Sequence, residues 1–158
     1  MHERSEKNSP LDVILYEIEM FRHCANTLPA KQDKAMASGD KAEYYLGIEG
    51  FLLHLRNLLA FFMSSNLRRT DLGITKPDLN LWGDGGQLQM NQYHDLVDLA
   101  QEINKLRKTK NGTLHVQISR FLQHCTTFRY TEARSWDVEG IFSDFNPLLI
   151  EFEKRFGK

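Results

Sequence analysis

Between Phe51 and Met63 the chain reads Phe-Leu-Leu-His-Leu-Arg-Asn-Leu-Leu-Ala-Phe-Phe-Met, its most apolar run. As a helix these 13 residues rise only about 20 Å. That is short of a bilayer core of roughly 30 Å, and His54, Arg56 and Asn57 interrupt the run, so no membrane span is expected. The segment reads instead as a helix that is apolar around most of its circumference and therefore central in a bundle. Everything else in the chain has to supply faces that cover it.

The flanking sequence does so at helical spacing. Ser9-Pro10 is a helix start, with Ser as the cap and Pro at the first helical position. Leu11, Ile14, Leu15, Ile18, Phe21 and Ala25 then recur at three- and four-residue steps up to about Leu28-Pro29. Ala30 to Gly39 reads as a polar connection, and Ser38 or Asp40 can cap the second helix, which runs to about Ser64. From Ser65 to about Leu88 the periodicity is lost among Gly73, Pro77, Gly83, Gly85 and Gly86, predicting one long loop. A third helix spans about Met90 to Lys108 with Tyr93, Leu96, Val97, Ala100, Ile103 and Leu106 inward, and Asn111-Gly112 breaks it. A fourth runs from about Thr113 to Arg134 on Leu114, Ile118, Phe121, Leu122, Cys125 and Phe128. The last segment, Asp137 to Phe156, carries apolar residues at helical spacing, and Pro147 is expected to kink it or restart it with Asn146 as cap. No alternating strand pattern and no repeat occurs. The expected fold is an all-α, antiparallel four- to five-helix bundle with one long loop at about 65–88, a single helical domain over 1–158 with 1–9 disordered.

Composition agrees with a globule of 158 residues, with 41% apolar and 26% charged side chains. Lys plus Arg (20) nearly cancel Asp plus Glu (21), so any nucleic-acid or membrane contact needs a local patch. Cys24 and Cys125 make no disulfide framework and no zinc spacing, which favours a reducing cytoplasm, and the polar N-terminal residues lack a signal-peptide core.

Chemistry has three places to sit. Inside the second helix, Glu49 and Arg56 are seven residues apart and share a side, while His54 and Asn57 share a neighbouring strip. They form either a polar cleft or a register-fixing ion pair with an adjacent helix. Between Lys105 and Arg134, seven cations (Lys105, Arg107, Lys108, Lys110, Arg120, Arg129 and Arg134) stand against Glu132 alone. Such a stretch either holds phosphates, with Phe128 or Tyr130 stacking a base, or is a solvated basic face. His54, His94 and His115 on three helices are weak candidates for a bundle metal site, although no pair has metal-ligand spacing. No cofactor motif is present.

The string His54-Leu55-Arg56-Asn57-Leu58-Leu59-Ala60-Phe61-Phe62, followed by an Asp- and Trp-containing loop, Ile103-Asn104-Lys105, a later His115, Trp136 and Pro147-Leu148-Leu149, resembles a group of small uncharacterised bacterial helical proteins. These look distantly like HEPN-type bundles, a fold associated with RNA cleavage and antiviral or toxin systems. The resemblance implies a bundle, a tendency to self-associate, and an inactive or binding relative. The HEPN ribonuclease hallmark, Arg followed by His after four to six residues, is absent: three residues separate Arg120 from His124, and seven separate Arg107 from His115.

The leading expectation is a cytoplasmic, homo-oligomeric, non-enzymatic interaction module without cofactors. Its partner surface would use Glu49, Arg56, Trp82, Lys105, Arg107 and Lys108. The alternatives are RNA binding or cleavage using His54, Arg56, Asn57, His115 and Arg120, and a metal-dependent enzyme using His54, His94 and His115.

Overall fold

A computed structural model describes residues 9–63, 71–75, 93–123 and 136–156. Five helices run in order: α1 Pro10–Ser38, α2 Ala42–Met63, α3 His94–Leu106, α4 Leu114–Gln123 and α5 Val138–Phe156. No strand occurs among the described residues.

α1 begins as its sequence predicts. The Ser9 hydroxyl accepts from the Asp12 N–H at 3.2 Å and the Asp12 carboxylate accepts from the Ser9 N–H at 2.9 Å, a reciprocal capping box over Pro10. Ser9 is thus part of the fold, while residues 1–8 lie outside the described residues. The expected end at Leu28-Pro29 is overturned: α1 continues through Pro29 for 29 residues in all. A helix-interior proline costs about 3 kcal/mol through its missing N–H and its ring. Here the further turns bury Leu28 and Ala35, and Leu28 Cδ1 comes within 3.0 Å of where a Gly47 side chain would begin. The stretch read as a polar connection is therefore the outer half of a long helix, ended by Gly39 at φ 75° with its N–H on the Ala35 carbonyl. Asp40 then caps α2, its carboxylate accepting from the Ala42 N–H at 3.0 Å.

α1 and α2 form an antiparallel hairpin. Its register is marked by Glu17 against His54, Cys24 beside Gly50, Leu28 beside Gly47 and Lys34 against Glu43. α2 is long and apolar enough to cross a membrane by length and composition, but eight of its residues are buried among its neighbours. Around it, Phe21, Phe51, Phe61, Phe62, Phe145 and Phe152 form a continuous aromatic core, with Phe21–Phe51 ring centres at 4.8 Å and Phe62–Phe152 edge to face at 5.3 Å. Of the expected 65–88 loop only 71–75 is described; it turns back over the end of α2, with the Ile74 N–H on the Phe61 carbonyl and its side chain buried.

α3 and α5 are also antiparallel, pinned at opposite ends by Arg155 on Asp95 and by Arg107 on Asp144. Pro147 does not restart α5: the helix runs through it, and Asn146, instead of capping, accepts from Arg22 Nε at 2.9 Å. Burial of Phe145, Leu148, Leu149 and Phe152 on both sides of the proline holds the helix together. α3 is described from His94 and α4 as far as Gln123; the expected extensions at 90–92 and 124–134 lie outside the described residues. Between them, Thr109 and Gly112 exchange backbone hydrogen bonds at 3.0 Å. Gly112 sits at φ 107°, where an added Cβ would also meet Val116 at 2.8 Å, so only glycine suits the turn.

Gln117 locks this turn. It is buried, and its amide donates to the carbonyls of Arg107 and Gly112, both at 2.8 Å. Replacing it with Leu leaves the Arg107 carbonyl without this donor and the Gly112 carbonyl with the Thr109 N–H alone, at a cost of about 1–3 kcal/mol. Urea unfolding of Gln117→Leu should therefore show a lower midpoint at an unchanged slope, and an unchanged midpoint would refute this role.

Candidate interaction surface on the outer face of α2

A helix buried on two flanks still has an outer face, and on α2 it follows the row Leu46, Gly50, Leu53, Asn57 and Ala60, with Gly50 and Asn57 at its α1 border beside Cys24 and Glu17. The intervals are four, three, four and three residues, the spacing of a seam that receives a second helix. Leu46 is 66% and Leu53 40% exposed, while Gly50, Asn57 and Ala60 are half-buried. Two exposed α1 side chains, Val13 and Tyr16, carry apolar surface in the α1 segment that borders His54.

The α1 flank is a polar cluster. His54 Nδ1 lies 2.7 Å from Glu17 Oε2, and the Asn57 amide donates to the same oxygen at 3.3 Å. Tyr16 stands edge-on to the His54 ring at 6.3 Å. Sharing one carboxylate oxygen fixes the imidazole and the amide at the seam's edge and orders the ring through its Nδ1. His54 and Asn57 thus share a strip as the sequence predicts, and the acid that binds them is Glu17, 37 residues away in sequence.

The α4 flank carries Arg56. Among the described residues it makes no hydrogen bond or ion pair. Its charge acts on His115 of α4, whose pKa is lowered from its ordinary value of 6.5 first by burial and then by Arg56. Both effects favour the neutral imidazole over the charged one. Its backbone N–H donates to Asn104 Oδ1 at 2.8 Å, so Asn104 from α3 serves as a cap for the first turn of α4. Glu49 lies two turns before Arg56 on the same flank and is half-buried.

The structure separates other residues that the sequence grouped. His54 faces α1, His115 faces Arg56, and His94 is exposed against Asp98 of its own helix at 3.0 Å. The three histidines do not converge, and no cluster of three metal-ligating side chains exists among the described residues. Glu49, His54, Arg56 and His115 likewise divide between the two flanks of α2 rather than meeting in one cleft. Arg107 is engaged within the fold: its guanidinium binds Asp144 at 2.7 Å and Asp137 at 3.2 Å, tying the end of α3 to α5. Arg120 turns to the Asn111 carbonyl at 3.2 Å. Lys105 and Lys108 are exposed. Trp82 and residues 124–134, with Arg129 and Arg134, lie outside the described residues.

Neither a family model, nor a curated protein, nor a solved structure matches the chain.

The His115 shift has a sign that can be tested. A base whose folded-state pKa is depressed binds protons more readily when unfolded, so stability is lost as pH falls through 6.5 and the loss levels off below the folded value. In His115→Gln the contribution of this group to the acid-side slope should vanish in urea titrations between about pH 7 and 5. An identical slope in the variant would contradict it.

Proposed function

We propose that this chain is a non-enzymatic interaction module that self-associates through the outer seam of α2. The carrying observation is the pair of exposed leucines, Leu46 and Leu53, in register at coiled-coil spacing with half-buried Gly50, Asn57 and Ala60, on a helix otherwise packed on both flanks. Small residues let helices approach closely, and a lone polar residue in such a seam favours one register. A symmetric dimer must present the same patch twice, so the seam has to complement itself. It does so in an antiparallel pairing about an axis at Leu53. Leu46 then faces Ala60 of the second copy, and the two Leu53 side chains meet. The same axis sets Glu49 within a turn of the second copy's Arg56, twice. Charges that complement each other in this pairing repel or miss in a parallel one.

This reading agrees with a binding relative of HEPN-type bundles that lacks the nuclease spacing, and a buried, free Cys24 suits the reducing cytoplasm. Sedimentation of the wild type should give a dimer, and Leu53→Glu should give a folded monomer with unchanged helical circular dichroism. A wild type that stays monomeric at high micromolar concentration, or a Leu53→Glu variant that still dimerises, would overturn the proposal.

A second reading, RNA contact, is favoured by one observation: Arg56, without an ion pair among the described residues, is near enough to the largely buried His115 to help lower its pKa, which pairs a phosphate-binding cation with an imidazole able to accept a proton. It requires RNA retention that falls steeply with salt and is lost in Arg56→Gln. Absence of any retention or cleavage at low salt removes it.

A further inference from the structure

Away from the seam, a cleft of about 640 Å³ opens between the outer half of α1, the first turns of α2 and the start of α5. Its volume falls within the roughly 300–1,000 Å³ of small-ligand sites. Three aromatic side chains line it, Tyr44, Trp136 and Phe142, together with two carboxylates, Asp137 and Glu139, and no Lys or Arg. We propose that this cleft binds an organic monocation of the alkylammonium class, held against the aromatic side chains and facing Glu139.

The charges around the cleft decide the sign of the ligand. The N-terminus of α5 opens here and would by itself favour an anion. Asp137 already answers it: one carboxylate oxygen accepts the Gly140 N–H at 3.0 Å, the other accepts from Arg107 at 3.2 Å, and both contacts hold the carboxyl below its ordinary range. Arg107 is in turn taken by Asp144 at 2.7 Å. The surplus is Glu139, exposed and with no hydrogen bond or ion pair among the described residues. An anion would meet two carboxylates and no cationic side chain in the lining. A neutral apolar ligand would leave the Glu139 charge unused. A cation with an apolar shell meets both demands, because aromatic faces attract it electrostatically while its methyl or methylene groups tolerate the partly dry walls.

The walls are placed by the fold rather than by the ligand. Trp136 packs edge-on against Phe121 with ring centres at 5.5 Å, and its carbonyl accepts the Val138 N–H at 2.9 Å, which fixes the turn into α5. Phe142 stacks on Phe21 at 5.6 Å, so its ring is anchored in the core.

The experiment is a titration of the full chain with choline and, in parallel, with its uncharged carbon isostere 3,3-dimethylbutan-1-ol, followed by the indole N–H resonances, with Trp82→Phe assigning that of Trp136. Choline should move the Trp136 signal saturably and bind about tenfold tighter than the isostere. Glu139→Gln should weaken choline severalfold without affecting the isostere, and Tyr44→Leu should weaken both, with melting temperatures unchanged. Equal binding of choline and the isostere would overturn the cation assignment, and an unmoved Trp136 resonance with both probes would overturn the site.

Discussion

Burial of α2 is the constraint on which the rest of the molecule depends. Eight of its 22 residues are buried, including Phe51, Leu55, Phe61 and Phe62, each large side chain stabilising the fold by about 1.5–3 kcal/mol relative to exposure. No single neighbour can cover such a helix. α1 takes one flank, α3 and α4 take others, and α5 closes the aromatic core through Phe145 and Phe152. The ion pairs are arranged around this packing instead of creating it. Arg22 with Glu153, Arg107 with Asp144 and Arg155 with Asp95 each join elements already brought together by apolar contact, and all keep some solvent exposure.

The same demand explains where local sequence signals lost. Pro29 and Pro147 are strong helix breakers in isolation, and both lie inside helices here. In each case the residues on either side are buried: Cys24, Leu28 and Ala35 around Pro29, Phe145, Leu148 and Leu149 around Pro147. Tertiary packing outweighs one missing backbone donor, and both proline rings face solvent. Where no such conflict existed, the residues were readable directly. The Ser9-Pro10 start, the Asp40 cap and the Asn111-Gly112 break all form as their chemistry dictates.

The site was legible only in part, and the limit is physical. Helical spacing alone places His54 with Asn57 and Glu49 with Arg56, because period fixes which side chains share a face. It cannot say which face meets which neighbour. Glu17 as the partner of His54, Asn104 as the cap over His115, and Asp144 as the sink for Arg107 are separated in sequence by 37, 11 and 37 residues, and they follow from the registers of packed helices. The seam itself was within reach of the sequence: Leu46, Gly50, Leu53, Asn57 and Ala60 keep a four-three spacing. It was hidden because a helix that is apolar nearly all round gives no contrast between an inward and an outward leucine.

An outward seam on the most apolar helix gives the fold a direction. The flank toward α1 is held rigid by Glu17, His54 and Asn57, and the flank toward α4 offers Arg56, so any helix that docks there is read for shape along the middle and for charge along one edge. The most direct test is the distance between spin labels placed on the two copies, with Cys24 and Cys125 replaced by alanine and a single cysteine at position 53 or at position 46. An axis at Leu53 with antiparallel helices predicts a short separation at 53, about 10 Å between backbones, and one at 46 longer than about 20 Å, since 14 residues of helical rise then separate the two sites. Equal separations at the two positions, or no dipolar coupling at either, would contradict the account.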